Sequence, residues 1–139
     1  MRTKVIITFL SETTQNGEKD KTFLQAKGFM EKSESGYIIS YTEPDSEMGK
    51  SKSVLHIKNE HFVELKRTGL YETLFLIEEN KSHNCTYKTP YGVMNMEIIA
   101  KKADAPVTEN GGKIHLEYLL LSGGEILGEN LLQLDIKTV

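Results

Sequence analysis

Apolar residues recur at every second position along most of this chain, the period of a strand that buries one face. Val5, Ile7 and Phe9 open the pattern within residues 3–13, which run into Asn16-Gly17, the strongest short signal for a hairpin turn. A second run, residues 21–30, carries Phe23, Leu24 and Phe29 and contains Gly28, which inside a strand suggests a bulge. After Glu34-Ser35-Gly36 the alternation resumes with Tyr37, Ile39 and Tyr41 on one side. Residues 43–50, Glu-Pro-Asp-Ser-Glu-Met-Gly-Lys, are polar and interrupted by proline and glycine. They read as the longest loop, the place for a flexible lid or mouth.

Leu55, Ile57, Val63 and Leu65 continue the pattern, and Arg67 falls in phase with Val63 and Leu65, on the apolar face of its own strand. Residues 71–78 form a nearly continuous apolar run. Leu70, Leu74 and Ile77 would also suit a short helix there, but the β-branched and aromatic content favours a strand. His83, Cys85, Tyr87 and Thr89 alternate up to Pro90, and Met94, Met96, Ile98 and Ala100 alternate beyond Gly92. Proline brings no N–H to a ladder and glycine frees the backbone. The segment 87–92 is therefore expected to bend one long strand around a barrel corner. A loop over 104–112 precedes Ile114, Leu116, Tyr118 and Leu120, Gly123-Gly124 reads as a tight turn, and Leu132, Leu134 and Ile136 mark a last strand.

About ten strand-like runs at short spacing, without a strong helical period, predict an all-β fold. The expected form is a closed antiparallel up-and-down β-barrel of about 8–10 strands, with a two-sheet sandwich as the other arrangement. Closure is favoured because an open meander of this length leaves two edges able to recruit other chains. A barrel of about eight or more strands is wide enough for side chains or one small ligand.

Bulk properties narrow the partners. The 139 residues fit one domain spanning 1–139. With 17 basic and 20 acidic residues the charge is balanced at −3, so neither nucleic acid nor an anionic membrane is an expected partner. The stretch Met1-Arg2-Thr3-Lys4-Val5 leads straight into alternation without the features of a signal peptide. No apolar run approaches the roughly 18 residues of a membrane span. The single cysteine, Cys85, cannot build an internal disulfide, which points to a reducing cytoplasm.

Arg67 carries the sharpest chemistry, since a guanidinium sharing a face with Val63 and Leu65 must be solvated, paired or bound to an anion. It reads as a carboxylate or phosphate anchor inside the barrel, as a side chain in water where the strand end frays to the mouth, or as a structural pair with a carboxylate. Tyr41, Tyr87, Tyr91 and Tyr118 could line a cavity and orient a ligand through their hydroxyls, or pack in the core. Met94 and Met96 suit either an adaptable apolar pocket or ordinary core packing. His83 and Cys85 share a face, but no second pair at ligand spacing accompanies them, so no metal is expected. His56, His61 and His115 fall on polar faces, and Glu97 and Glu117 form no evident acid/base pair. There is no phosphate-cradling glycine loop, nucleophile elbow or Cys/His dyad, so no cofactor and no enzymatic activity are expected.

Arg67-Thr68-Gly69, Thr89-Pro90-Tyr91-Gly92 followed by Met96, and Glu117-Tyr118, together with Gly36, Tyr41-Thr42-Glu43 and the terminal hairpin, resemble the YwiB-like proteins. That bacterial family of unknown function is described as lipocalin-like barrels of the calycin type. The resemblance implies a small antiparallel lipocalin-like barrel in a bacterial cytoplasm and brings no catalytic residues with it. The chain departs from lipocalins in lacking their N-terminal Gly-x-Trp signature and any tryptophan, which weakens a transfer of lipocalin ligand classes. The expected function is to hold a small amphipathic ligand. Its tail would lie against Leu55, Ile57, Met96 and Leu116, and its head among Arg67, Tyr41, Tyr87, Thr89, Tyr91, Met96 and Tyr118. The alternatives are a protein–protein adaptor using an exposed strand or the 43–50 loop, and an enzyme in which Arg67 orients a small anionic substrate.

Overall fold

In the computed structural model, which describes residues 2–45 and 49–139, the alternating runs form strands and no helix is present among the described residues. The strands are β1 (Arg2–Gln15), β2 (Glu18–Lys32), β3 (Tyr37–Asp45), β4 (Gly49–Asn59) and β5 (Phe62–Thr68). They are followed by β6 (Glu72–Glu78), β7 (Ser82–Thr89), β8 (Gly92–Asp104), β9 (Gly111–Ser122) and β10 (Glu125–Thr138). Each strand pairs antiparallel with the next, and β1 pairs with β10 to close an up-and-down barrel of all ten.

Turn chemistry sets this topology. Asn16 and Gly17 have φ of 52° and 80°, and Gly123 and Gly124 have 60° and 84°. Two positive φ values in a row match a two-residue turn to the right-handed twist of its strands. Gln15 accordingly faces Glu18, and Ser122 faces Glu125. The run 71–78 is strand rather than helix, because its alternate residues Thr73, Phe75 and Ile77 are buried inside the barrel.

Three sequence expectations change. First, 87–92 does not bend one strand but reverses the chain between β7 and β8, with Thr89 facing Gly92 across Pro90-Tyr91. Thr89 Oγ1 accepts the Tyr91 N–H at 3.1 Å and donates to the Gly92 carbonyl at 3.0 Å, and Pro90 presets the turn. Second, Gly28 is not a bulge, since β1 and β2 stay in register throughout. A Cβ at Gly28 would lie 2.3 Å from the Ser40 carbonyl oxygen, so glycine is there to let β3 approach. Register shifts fall instead at Ile57/Asn59, Ala100/Lys102 and Ile126/Gly128. Third, the 43–50 loop is shorter than expected, because pairing continues through Pro44↔Lys50 to Asp45↔Gly49. Its centre, residues 46–48, lies outside the described residues.

An up-and-down barrel gathers alternate connections at each end. The turns at 16–17, 69–71, 90–91 and 123–124 lie at one end, here the turn end. At the other end Val5, Ile7, Ile39, Ile57, Val63, Ile77, Ile114 and Ile136 fill the interior almost without exposure. Burial of each such side chain contributes roughly 1.5–3 kcal/mol. Below them Ala105 and Val107, in the β8–β9 connection, pack against the core, and the Ala105 N–H donates to the Glu60 carbonyl at 2.8 Å.

Gly28→Ala places a methyl against main chain that cannot swing aside. It should destabilise the barrel by about 1–3 kcal/mol, read as a lower urea midpoint. An unchanged midpoint would contradict the close approach of β2 and β3.

Candidate functional site

Register builds the site. Tyr41 faces Ser53, Ser53 faces Arg67, Arg67 faces Thr73, and Thr73 faces Tyr87 across successive strand pairs. Residues directly opposite in a ladder project from the same face, so these inward positions form one polar belt across β3 to β7. Ser53 and Thr73 are buried, and Arg67 is half-buried with its Nε–H donating to Ser53 Oγ at 3.4 Å.

On the turn-end side of this belt the barrel is not filled. A cavity of about 370 Å³ opens there, with Phe9, Leu24, Leu65, Phe75 and Leu132 as its apolar wall. Arg67, Thr73, Tyr87 and Tyr118 supply polar groups, and Thr13 and Asn130 stand near the mouth. Thr13 Oγ1 donates to Asn130 Oδ1 at 3.0 Å, tying β1 to β10. The aromatic rings brace one another: Phe75 and Tyr118 meet edge to face at 6.2 Å, and Tyr71 and Tyr87 tilt together at 5.9 Å. This volume lies near the lower end of small-molecule pockets, which run about 300–1,000 Å³.

Of the residues singled out from sequence, Arg67, Tyr87 and Tyr118 come together in the wall, and Tyr41, Thr89, Tyr91 and Met96 do not. Tyr41 belongs to the belt but is buried beside Ser53 and Gly28. Thr89 is occupied in the β7–β8 turn, and Tyr91, at its tip, is 94% exposed. Met96 is buried opposite Cys85. Leu55, Ile57 and Leu116 are also core rather than wall, since an inward position does not reveal its height in the barrel. Sequence reading missed Ser53, Thr73, Thr13 and Asn130. A signal existed for the first two: Ser53 is in phase with Leu55 and Ile57, and Thr73 with Phe75 and Ile77.

Each histidine is held by a neighbouring group. His83 Nε2 lies 2.9 Å from Glu78, and its ring stacks on Phe62 at 5.7 Å. The Glu78 carboxyl titrates below its ordinary range because His83 hydrogen-bonds it. His61 Nδ1–H donates to the Ala103 carbonyl at 2.9 Å, which raises the imidazole pKa. His115 pairs with Glu117 at 2.8 Å, and His56 lies 3.4 Å from the Ser33 hydroxyl. No group of three or more His, Cys, Asp or Glu among the described residues is placed to hold a metal ion.

Fold and site together define a small closed β-barrel with an amphipathic cavity at one end. The chain belongs to the family described as domain of unknown function DUF1934, whose model matches residues 7–134. No curated protein matches it. Among solved structures it is similar to the ywiB protein from Bacillus subtilis. The likeness covers 99% of this chain and 93% of that one at 18% identity, with a TM-score of 0.87. The resemblance read from the Arg67-Thr68-Gly69 and Thr89-Pro90-Tyr91-Gly92 segments thus extends to the whole fold.

Burial pushes the Tyr118 phenol up from about 10 to about 12, against the pull of the Arg67 charge, and pushes the Cys85 thiol up from about 9 to about 11. Both groups are neutral when folded and ionise more readily when unfolded. Their contribution is full below pH about 9 and is lost as pH rises through about 11 for Cys85 and about 12 for Tyr118. Thermal unfolding followed from pH 8 to 12 should therefore show a falling midpoint above pH about 9. Tyr118→Phe should lose the part between about 10 and 12. A midpoint that stays flat across that range would contradict the burial of both groups.

Proposed function

We propose that this protein is a non-enzymatic binding barrel that takes a small amphipathic anion into the turn-end cavity. The observation that carries the reading is a guanidinium on a polar belt facing a cavity walled by Phe9, Leu24, Leu65, Phe75 and Leu132. A carboxylate or phosphate head meets Arg67, with the Tyr87 and Tyr118 hydroxyls as further partners, and the apolar portion lies against Phe9, Phe75 and Leu132. Binding is favoured over catalysis because, among the described residues, the cavity wall carries no carboxylate, imidazole or thiol to act as base or nucleophile. We read the barrel as lipocalin-like and as belonging to a bacterial cytoplasm. The family resemblance and the single cysteine support that placement, and the balanced charge argues against nucleic-acid and membrane partners. No helix among the described residues is long and apolar enough to cross a membrane.

Decanoate should displace a fluorescent fatty acid from the protein, and decanol should do so far less well. Arg67→Ala should weaken decanoate by about tenfold to a hundredfold, the effect of losing a charge-assisted hydrogen bond, while circular dichroism shows an intact barrel. No bound species in native mass spectrometry, or equal binding by the variant, would overturn the reading. A variant that no longer folds would identify Arg67 as a structural pair instead.

A further inference from the structure

β1 and β2 remain paired up to their turn, whereas β2 and β3 pair only from Gly28↔Tyr41 to Lys32↔Tyr37. Beyond Tyr41, β3 continues with β4 alone as far as Asp45↔Gly49. Residues 18–27 of β2 therefore have a neighbouring strand on one side only among the described residues. The parting begins at Gly28, where a Cβ would lie 2.3 Å from the Ser40 carbonyl oxygen of β3. Pro44, in the part of β3 that has left β2, has no N–H with which to continue a ladder.

Because Gln15 and Glu18 close a two-residue turn, Glu18 and the even positions after it exchange their hydrogen bonds with β1. The main-chain N–H and C=O of Lys19, Lys21, Phe23, Gln25 and Lys27 then point to the open edge. A row of alternating donors and acceptors on extended backbone is matched by another extended backbone. The side chains at these positions face outward, with Phe23 70% exposed and Lys19 3.4 Å from Glu12. The intervening Thr22 and Leu24 face inward and form part of the cavity wall.

We propose that the open edge of β2, residues 18–27, is a docking site for an extended acidic peptide segment that adds as a strand beside it. Charge decides the occupant. A second copy of the chain pairing antiparallel about Phe23 would set Lys19 opposite Lys27, and like charges directly opposite are unfavourable. A segment with Asp or Glu at alternate positions instead meets Lys19, Lys21 and Lys27 on the outer face. Its remaining side chains, facing inward toward Leu24, are best apolar. The inference stands on backbone pairing and surface charge, independently of any anion at Arg67.

The test uses the full chain, isotope-labelled, with a blocked peptide of alternating Glu and Val as the probe. Amide exchange at Lys21, Phe23 and Gln25 should slow at least about tenfold when the peptide is added. The Lys/Val counterpart should bind about tenfold more weakly, and a Lys21→Glu, Lys27→Glu variant should reverse that preference. The Lys21→Glu, Lys27→Glu variant, whose side chains lie outside the cavity wall, should still displace the fluorescent fatty acid with decanoate as the parent chain does, which separates this site from the anion reading. No slowing at millimolar peptide, slowing at other strands, or equal binding of both peptides would overturn the proposal. Dimerisation of the chain through the same edge, seen as a doubled mass in light scattering, would assign the edge to a second copy and overturn it equally.

Discussion

A guanidinium enclosed by a β-barrel must keep polar company, and the rest of this molecule can be understood from how that demand is met. Strand alternation leaves Arg67 no choice of face: in phase with Val63 and Leu65, it points where they point. An arginine buried without partners would lose several kcal/mol of hydration that the fold could not recover. The register supplies Ser53 and Thr73 directly opposite it, and the belt stops short of the solid half of the core. The space beyond the belt is left unfilled, so the cation is half-buried rather than sealed.

Unequal filling follows the sequence of side-chain sizes along each strand. Toward the chain termini the inward positions are branched aliphatics such as Ile7, Ile39, Ile77 and Ile136, which are buried almost without exposure. Toward the turns they become small polar or flat aromatic residues: Ser11 and Thr13 on β1, Thr22 on β2, Tyr87 on β7, Asn130 on β10. Rings stacked edge to face do not fill a tapering space as aliphatics do. The same end is where β2 leaves β3, so closure is complete at one end and loosened at the other.

How much of this was legible in the chain depended on whether the deciding interaction was local. Asn16-Gly17 and Gly123-Gly124 announced their turns because the backbone demand sits in the residues themselves. The inward face of Arg67 was equally legible from its phase. The Thr89-Pro90-Tyr91-Gly92 segment misled, since proline and glycine suit a bent strand and a reversal alike and only pairing across the turn separates them. Height within the barrel was hidden for the same reason. Tyr41, Tyr87 and Tyr118 all look inward, but only cross-strand register shows that Tyr41 is sealed while the other two reach the cavity. The contact between Thr13 and Asn130, separated by 117 positions, had no local trace.

The division of the barrel into a solid half and a hollow one is most directly tested by methyl NMR of a sample labelled at Ile, Leu and Val, titrated with decanoate. Given that division, shifts should be confined to the cavity-lining methyls of Leu24, Leu65, Leu70, Leu120 and Leu132, with those of Ile39, Ile57, Ile77 and Leu116 unmoved. Shifts centred on those deeper methyls, or none at saturating decanoate, would contradict it.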